Sequence, residues 1–353
     1  MFPDAPREIH VDAALRDLEH DDPRVRVAAA NALDRAEPER HAEVCAALRT
    51  ALSDGRGDVR YAAALSLRKL SDVEAVPQLI DMLDDQDAFA RQAAAMALGH
   101  LGDPRAVEPL IAALRDGPPD IRFQVIPSLV ELQDRRAVAP IVEALEDIDV
   151  EVRANAAAAL GDLKAHENVS ALAPLLKDPV ETVRFEAAYA LSRLGDDRGL
   201  ETLLQLTTHR EFGLMVCQAL GKLGNRDAVP ALRKAWKRLF LHPLIRTQAM
   251  AALVLLGEVE PREALVRQSR SRRPEVRGLA LELLGEVGGN WALEALLAGL
   301  EGRSPVAAAR ALGALGDRSA VPALRRALER AGADPELRQD LEEAIAKLDK
   351  GAG

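Results

Sequence analysis

The sequence predicts an all-α fold, a right-handed α-α superhelix (a solenoid) of about eleven helical pairs. Three observations carry this expectation. Arg60, Arg91, Arg122, Arg153 and Arg184 follow one another at a spacing of 31 residues, each just ahead of an alanine-rich stretch ending in leucine. A second apolar phrase recurs between them: EAVPQLIDML from Glu74, RAVEPLIAAL from Arg105 and RAVAPIVEAL from Arg136. A fixed period of this length with two apolar phrases is the mark of stacked helical hairpins. Finally, 48% of residues are hydrophobic but only 3% aromatic, so alanine and leucine supply the core. That balance suits closely packed helices better than sheets.

The unit from Asp134 to Lys164 shows why each element forms. Asp134 is placed to cap a first helix. Val138, Ile141, Val142 and Leu145 then recur at helical spacing. Pro140 falls early enough to be tolerated. The acidic stretch from Glu146 to Glu151 makes the turn. A second helix starts near Val150, with Val152, Ala156, Leu160 and Leu163 as its buried stripe, and Gly161 leaves room for the next unit. On this register the pairs begin near Asp12, His41, Asp72, Asp103, Asp134, Ala165, Asp196, Asn225, Glu258, Gly289 and Asp317. The domain expected is a single array over 1–350. Capping units lie near 1–40 and 317–350, the latter with the polar helix ELRQDLEEAIAKLDK, and 351–353 form a disordered tail.

The bulk numbers narrow the function. The net charge of −10 argues against nucleic acid as the main partner. Cys45 and Cys217 lie far apart and read as buried thiols, not a disulfide framework. No signal peptide and no apolar run long enough for a membrane span are visible. The expected location is cytoplasmic.

The phrase D-x-x-A-V-x-x-L-x-x-A-L followed by V-R-x-x-A-A-x-A-L-G-x-L-G closely resembles the HEAT repeat, in the short bacterial form named after the phycobilisome lyases. Asp103 to Leu114, Val152 to Gly161 and Asp317 to Leu328 carry it most clearly. The resemblance implies a scaffold, adaptor or regulator, with second helices lining a concave side. Some members of the class attach bilin chromophores to phycobiliproteins. Fold alone does not choose among these.

The arginine ladder reads as structural. Arg60, Arg91, Arg122, Arg153 and Arg184 can bond acids and turn carbonyls in the same or the neighbouring unit, and Asp58, Asp87, Asp120, Asp149 and Asp178 lie close by in sequence. Arg26, Arg246, Arg277 and Arg338 fall in the same slot, whereas Gly213 and Pro305 interrupt it.

Two surfaces are candidates for binding. On the concave face, one and five positions after the ladder arginine, stand Tyr61, Leu65, Met96, Phe123, Phe185 and Tyr189. Large apolar groups there suggest a partner-binding face, unless neighbouring units bury them. The second surface is a charge anomaly. Residues 225–277 hold twelve basic and five acidic side chains, sharpest in RQSRSRRPEVR, with Arg267, Arg270, Arg272 and Arg273 as an anionic-partner patch. A solvated, self-paired turn is the plainer reading of that stretch. Trp236 and Phe240 fall in a first helix that looks longer than its fellows and read as plugs for altered packing.

No signature of catalysis emerges. The seven histidines show no i, i+4 pairing, the one His-Glu step (His166-Glu167) lies in a turn, and no phosphate loop or nucleophile elbow is present. The expectation is therefore a non-enzymatic protein-protein interaction scaffold, without cofactor or metal, holding a protein partner on its concave face. The alternatives are a bilin lyase-like chromophore-handling protein, or a binder of an anionic partner or nucleic acid through 225–277.

Overall fold

A computed structural model describes residues 10–332 and 334–350, so the expected tail at 351–353 and the first nine residues lie outside the described residues. Two compact units are present, residues 1–190 and 191–353. The first contains α1 (Val11–Asp17), α2 (Pro23–Leu33), α3 (His41–Ala51), α4 (Gly57–Lys69), α5 (Val76–Asp81), α6 (Ala88–Leu101), α7 (Val107–Asp116), α8 (Pro119–Leu132), α9 (Val138–Glu143), α10 (Val150–Asp162), α11 (Val169–Leu172) and most of α12 (Glu181–Arg193). The second contains α13 (Leu200–Leu206), α14 (Gly213–Leu223), α15 (Val229–Lys237), α16 (Pro243–Leu255), α17 (Pro261–Gln268), α18 (Pro274–Val287), α19 (Asn290–Leu300), α20 (Pro305–Leu315), α21 (Val321–Arg330) and α22 (Pro335–Lys350). No strand occurs among the described residues. Odd-numbered helices open each pair and even-numbered helices close it, which makes eleven pairs in a repeat solenoid.

Local chemistry sets the ends of these helices. Asp22, Asp87 and Asp149 are N-caps of α2, α6 and α10, and their carboxylates accept backbone N–H groups left without a partner in the first turn. Entry into most of the first helices goes through a 3-10 turn. Asp103, Asp134, Asp196 and Asp317 each accept the N–H two residues on and start that turn, with the α-helix following. Asp134 thus caps the short turn Arg135–Ala137, not α9 itself. Several second helices end on a left-handed residue, which is glycine at Gly102, Gly224 and Gly316. At Ser71, Gln133 and Lys164 the chain adopts the same positive φ without glycine.

The core lies between pairs. Within the first unit α2, α4, α6, α8 and α10 pack in succession, and within the second α14, α16, α18, α20 and α22 do so. Their facing surfaces are small: Ala90, Ala93, Ala94, Ala95, Ala97 and Gly99 of α6 are all buried. Glycine is needed where backbones nearly touch. A Cβ on Gly99 would stand 2.7 Å from Ser128 Cα, and one on Gly221 would stand 2.9 Å from Ala252 Cα. Gly161 is the same device, at 3.1 Å from Ala190 Cα. The hydroxyl of Ser66, buried in α4, donates to Ala30 O in α2 at 2.8 Å, so even the polar core group ties one pair to the next.

Candidate interaction surfaces

The ladder arginines share one geometry. Each donates Nη1 to a carbonyl of its own turn: Arg60 to Asp54 O at 2.7 Å, Arg91 to Asp85 O at 2.6 Å, Arg122 to Gly117 O at 2.9 Å, Arg153 to Asp147 O at 2.8 Å and Arg184 to Asp178 O at 2.7 Å. In four of the five the opposite edge of the fork grips a carboxylate further along the chain. Arg60 takes Asp85, Arg91 takes Asp120, Arg122 takes Asp147 and Arg153 takes Asp178. Arg26 does the same with Asp54 at 2.7 Å. Of the five neighbouring acids, Asp120 and Asp178 are therefore acceptors for ladder arginines. Asp58 instead bonds Arg56, while Asp87 and Asp149 cap helices. Asp54, Asp85 and Asp147 complete the set. Burial, the largest influence, pushes Asp85 and Asp147 up. The arginine fork, a backbone N–H two residues on and the flanking arginine charges outweigh it, and both carboxyls titrate below their ordinary value.

The aromatic face is less uniform than the spacing suggests. Tyr61 is 37% exposed and meets Phe89, itself 67% exposed, edge-on at 6.5 Å between ring centroids. Phe89 lies in the first turn of α6, two residues past the Asp87 cap, a position outside the helical stripe that periodicity tracks. Leu65, Met96, Phe123 and Tyr189 are half-buried. Phe185 is not an anchor: it is 1% exposed and stacks on Tyr189 at 5.6 Å, filling the space between helices. In the same slot Ala154 is buried, and Gln92 is half-buried with its amide donating to Asp120 O at 3.2 Å.

The basic stretch of the second unit has two halves. Arg226 and Arg233 bond Glu258, and Lys237 bonds Glu260 at 3.0 Å, so three of the bases in this half are paired with acids. Arg267 stands 4.0 Å from Glu263. Arg270, Arg272 and Arg273 are exposed, and no ion pair to them is present among the described residues. The helix α15 is no longer than other first helices, and the extra residues form the loop 238–242. Phe240 does not plug anything there: it is 99% exposed beside Leu239 at 76%, while Trp236 packs on the core.

Both cysteine thiols are withdrawn from solvent. Burial pushes the Cys217 thiol up to about 12, and burial with the charge of Asp72 brings Cys45 to about 11. No group of three His, Cys, Asp or Glu side chains among the described residues could hold a metal ion. Among the same residues, no helix is long and apolar enough to cross a membrane.

The comparisons with known proteins agree on the repeat. HEAT repeats match residues 11–99, 89–151 and 138–214, and a PBS lyase HEAT-like repeat matches 305–330. No curated protein matches the sequence. Among solved structures, YibA of E. coli is 19% identical, with 73% of this chain and all of that one covered and a TM-score of 0.52. The CpcE–CpcF complex of phycocyanin lyase from Nostoc is 24% identical, covering 80% of this chain and 98% of that one, with a TM-score of 0.37. Importin beta is 14% identical, covering 96% and 57%, with a TM-score of 0.47.

Proposed function

Because the chain belongs to the HEAT-repeat family, with the characteristic repeats spanning residues 11–214, we propose that it is a protein-protein interaction scaffold that holds a partner segment on the second-helix face of its first unit. The observation that carries this reading is the exposed Tyr61–Phe89 pair. In a chain with 3% aromatic residues, two rings meet edge-to-face at the surface instead of entering the core. Leu65, Met96 and Phe123 continue the apolar row at helical spacing on α4, α6 and α8. An aromatic pair with an apolar margin is the composition of a protein-recognition hot spot. The arginines and aspartates beside it are already spent on one another, so the apolar groups are left to provide the attraction.

The experiment is a pull-down with the full chain and its Tyr61→Ala/Phe89→Ala variant, with recovered proteins identified by mass spectrometry. Both side chains are exposed, so the variant keeps its helical content, and a partner seen with the wild type should be lost. Equal recovery by both forms would count against this face. The lyase-like alternative draws on the match of residues 305–330 to a PBS lyase HEAT-like repeat. A shifted absorption band on mixing the protein with a free bilin would favour it.

A further inference from the structure

Arg277 is a ladder arginine with no carboxylate partner among the described residues; Arg246, whose Nε donates to Trp236 O, is another. Arg277, in the first turn of α18, is 9% exposed and held like the others: its Nη1 donates to Ser271 O, six residues back, at 2.7 Å. That is the spacing seen at Arg60, Arg91, Arg153 and Arg184. Arg60, Arg122 and Arg153 then grip an aspartate 25 residues on. Twenty-five residues beyond Arg277 stands Gly302. The Nε of Arg277 donates instead to Ser304 Oγ at 2.7 Å. Where the repeats of Arg60, Arg122 and Arg153 place a carboxylate, a cavity of about 340 Å³ opens between the turns preceding α18 and α20. Arg270, Arg272 and Arg303 line it together with Arg277, Gly302 and Ser304, and no aspartate or glutamate does.

We propose that this cavity is a binding site for a phosphate-type oxyanion, which takes the place of the missing ladder aspartate. The chain itself shows which chemistry satisfies this fork: a bidentate oxyanion, as at Arg122 and Asp147. Four guanidinium groups around one cavity with no acid to neutralise them favour a doubly charged phosphate over a single carboxylate. The half-buried hydroxyl of Ser304 adds a donor at the base. The site lies wholly in the second unit and does not depend on the partner face of the first.

Calorimetric titration of the full chain at low ionic strength with inorganic phosphate, and separately with glycerol 3-phosphate, tests the site. Saturable binding of either is expected, and the tighter of the two tells whether the group arrives free or as a monoester. Arg272→Ala and Arg303→Ala, both at exposed positions, should each weaken binding about tenfold, the worth of one charge-assisted contact. Arg325→Ala removes the same charge at an exposed position outside the cavity and should leave binding unchanged. Ser304→Asp supplies the carboxylate covalently at the Nε of Arg277. It should abolish binding without lowering the melting temperature, since aspartate also suits the N-cap of α20. The proposal fails if neither compound gives saturable binding. It also fails if Arg325→Ala weakens binding as much as Arg272→Ala, or if Ser304→Asp binds as the wild type does.

Discussion

Replacing Arg122 with alanine removes one rung of the ladder and measures what the rung is worth. Three hydrogen bonds disappear: Nε to Asp147 Oδ2 at 2.8 Å, Nη2 to Asp147 Oδ1 at 2.8 Å and Nη1 to Gly117 O at 2.9 Å. Both side chains are 14% exposed, so the pair is neither a surface ion pair nor fully buried. Exposed pairs are worth roughly 0–1 kcal/mol, whereas breaking a buried one costs about 3–5 kcal/mol. Asp147 keeps one partner after truncation, the N–H of Asp149 at 2.8 Å. The expected cost is therefore about 2–3 kcal/mol, between those limits. Because repeats touch only their neighbours, the loss should be local. Hydrogen exchange read by mass spectrometry should speed up roughly 30-fold or more in α8, α10 and the turns before them, while α2 and α16 stay as protected as before. Acid should erase the difference. The folded-state pKa of Asp147 is depressed, so its contribution is complete above the unfolded value near about 3.9 and is lost as pH falls through the lower folded value. The wild type and the variant should thus begin to converge only as pH falls below about 4, and meet once it lies below the depressed folded value. A change under about 0.5 kcal/mol, or faster exchange spread evenly over the chain, would refute the ladder as the joint between repeats.

Three further outcomes follow from the geometry. Gly99→Ala should destabilise by about 1–3 kcal/mol in urea unfolding, since its Cβ would stand 2.7 Å from Ser128 Cα in the facing backbone. Gly55→Ala, which meets nothing within 4 Å, should be neutral, and a similar loss at both sites would discredit the close-approach argument. Lys164→Gly should raise the stability by up to about 1 kcal/mol, because an exposed lysine at φ 52° gives way to a residue that pays no steric penalty there; a lower melting temperature would contradict this. Cys217, with its thiol pushed up to about 12 by burial, should resist iodoacetamide at pH 7.5 until denaturant is added. Rapid labelling of the native chain would show that the interior opens there.

The site was legible in part. Periodicity located the arginines and assigned them a structural role facing turns, but it paired them with the acids nearest in sequence. The fork reaches across to the next repeat, so Asp54, Asp85 and Asp147 are the acceptors at three joints, a choice that depends on how far one turn overhangs the next. Slot counting placed Tyr61, Phe123 and Phe185 on one row. Phe185 is buried while Tyr61 stays 37% exposed, a difference that the helical wheel alone does not give. Phe89 escaped notice since it sits in a first turn, where helical spacing carries no information.

What the sequence determined by itself was the period, the two helices in each unit, their caps and the small residues at their contacts. All of these are local, repeated choices that each segment makes within a few residues of itself. What only the tertiary structure decided was which groups remain uncovered: the ring of Phe240 in water, and the cavity beside Arg277 where a carboxylate is absent. Exposure is a property of a residue together with its spatial neighbours, and those neighbours stand some 25 to 30 positions away along the chain.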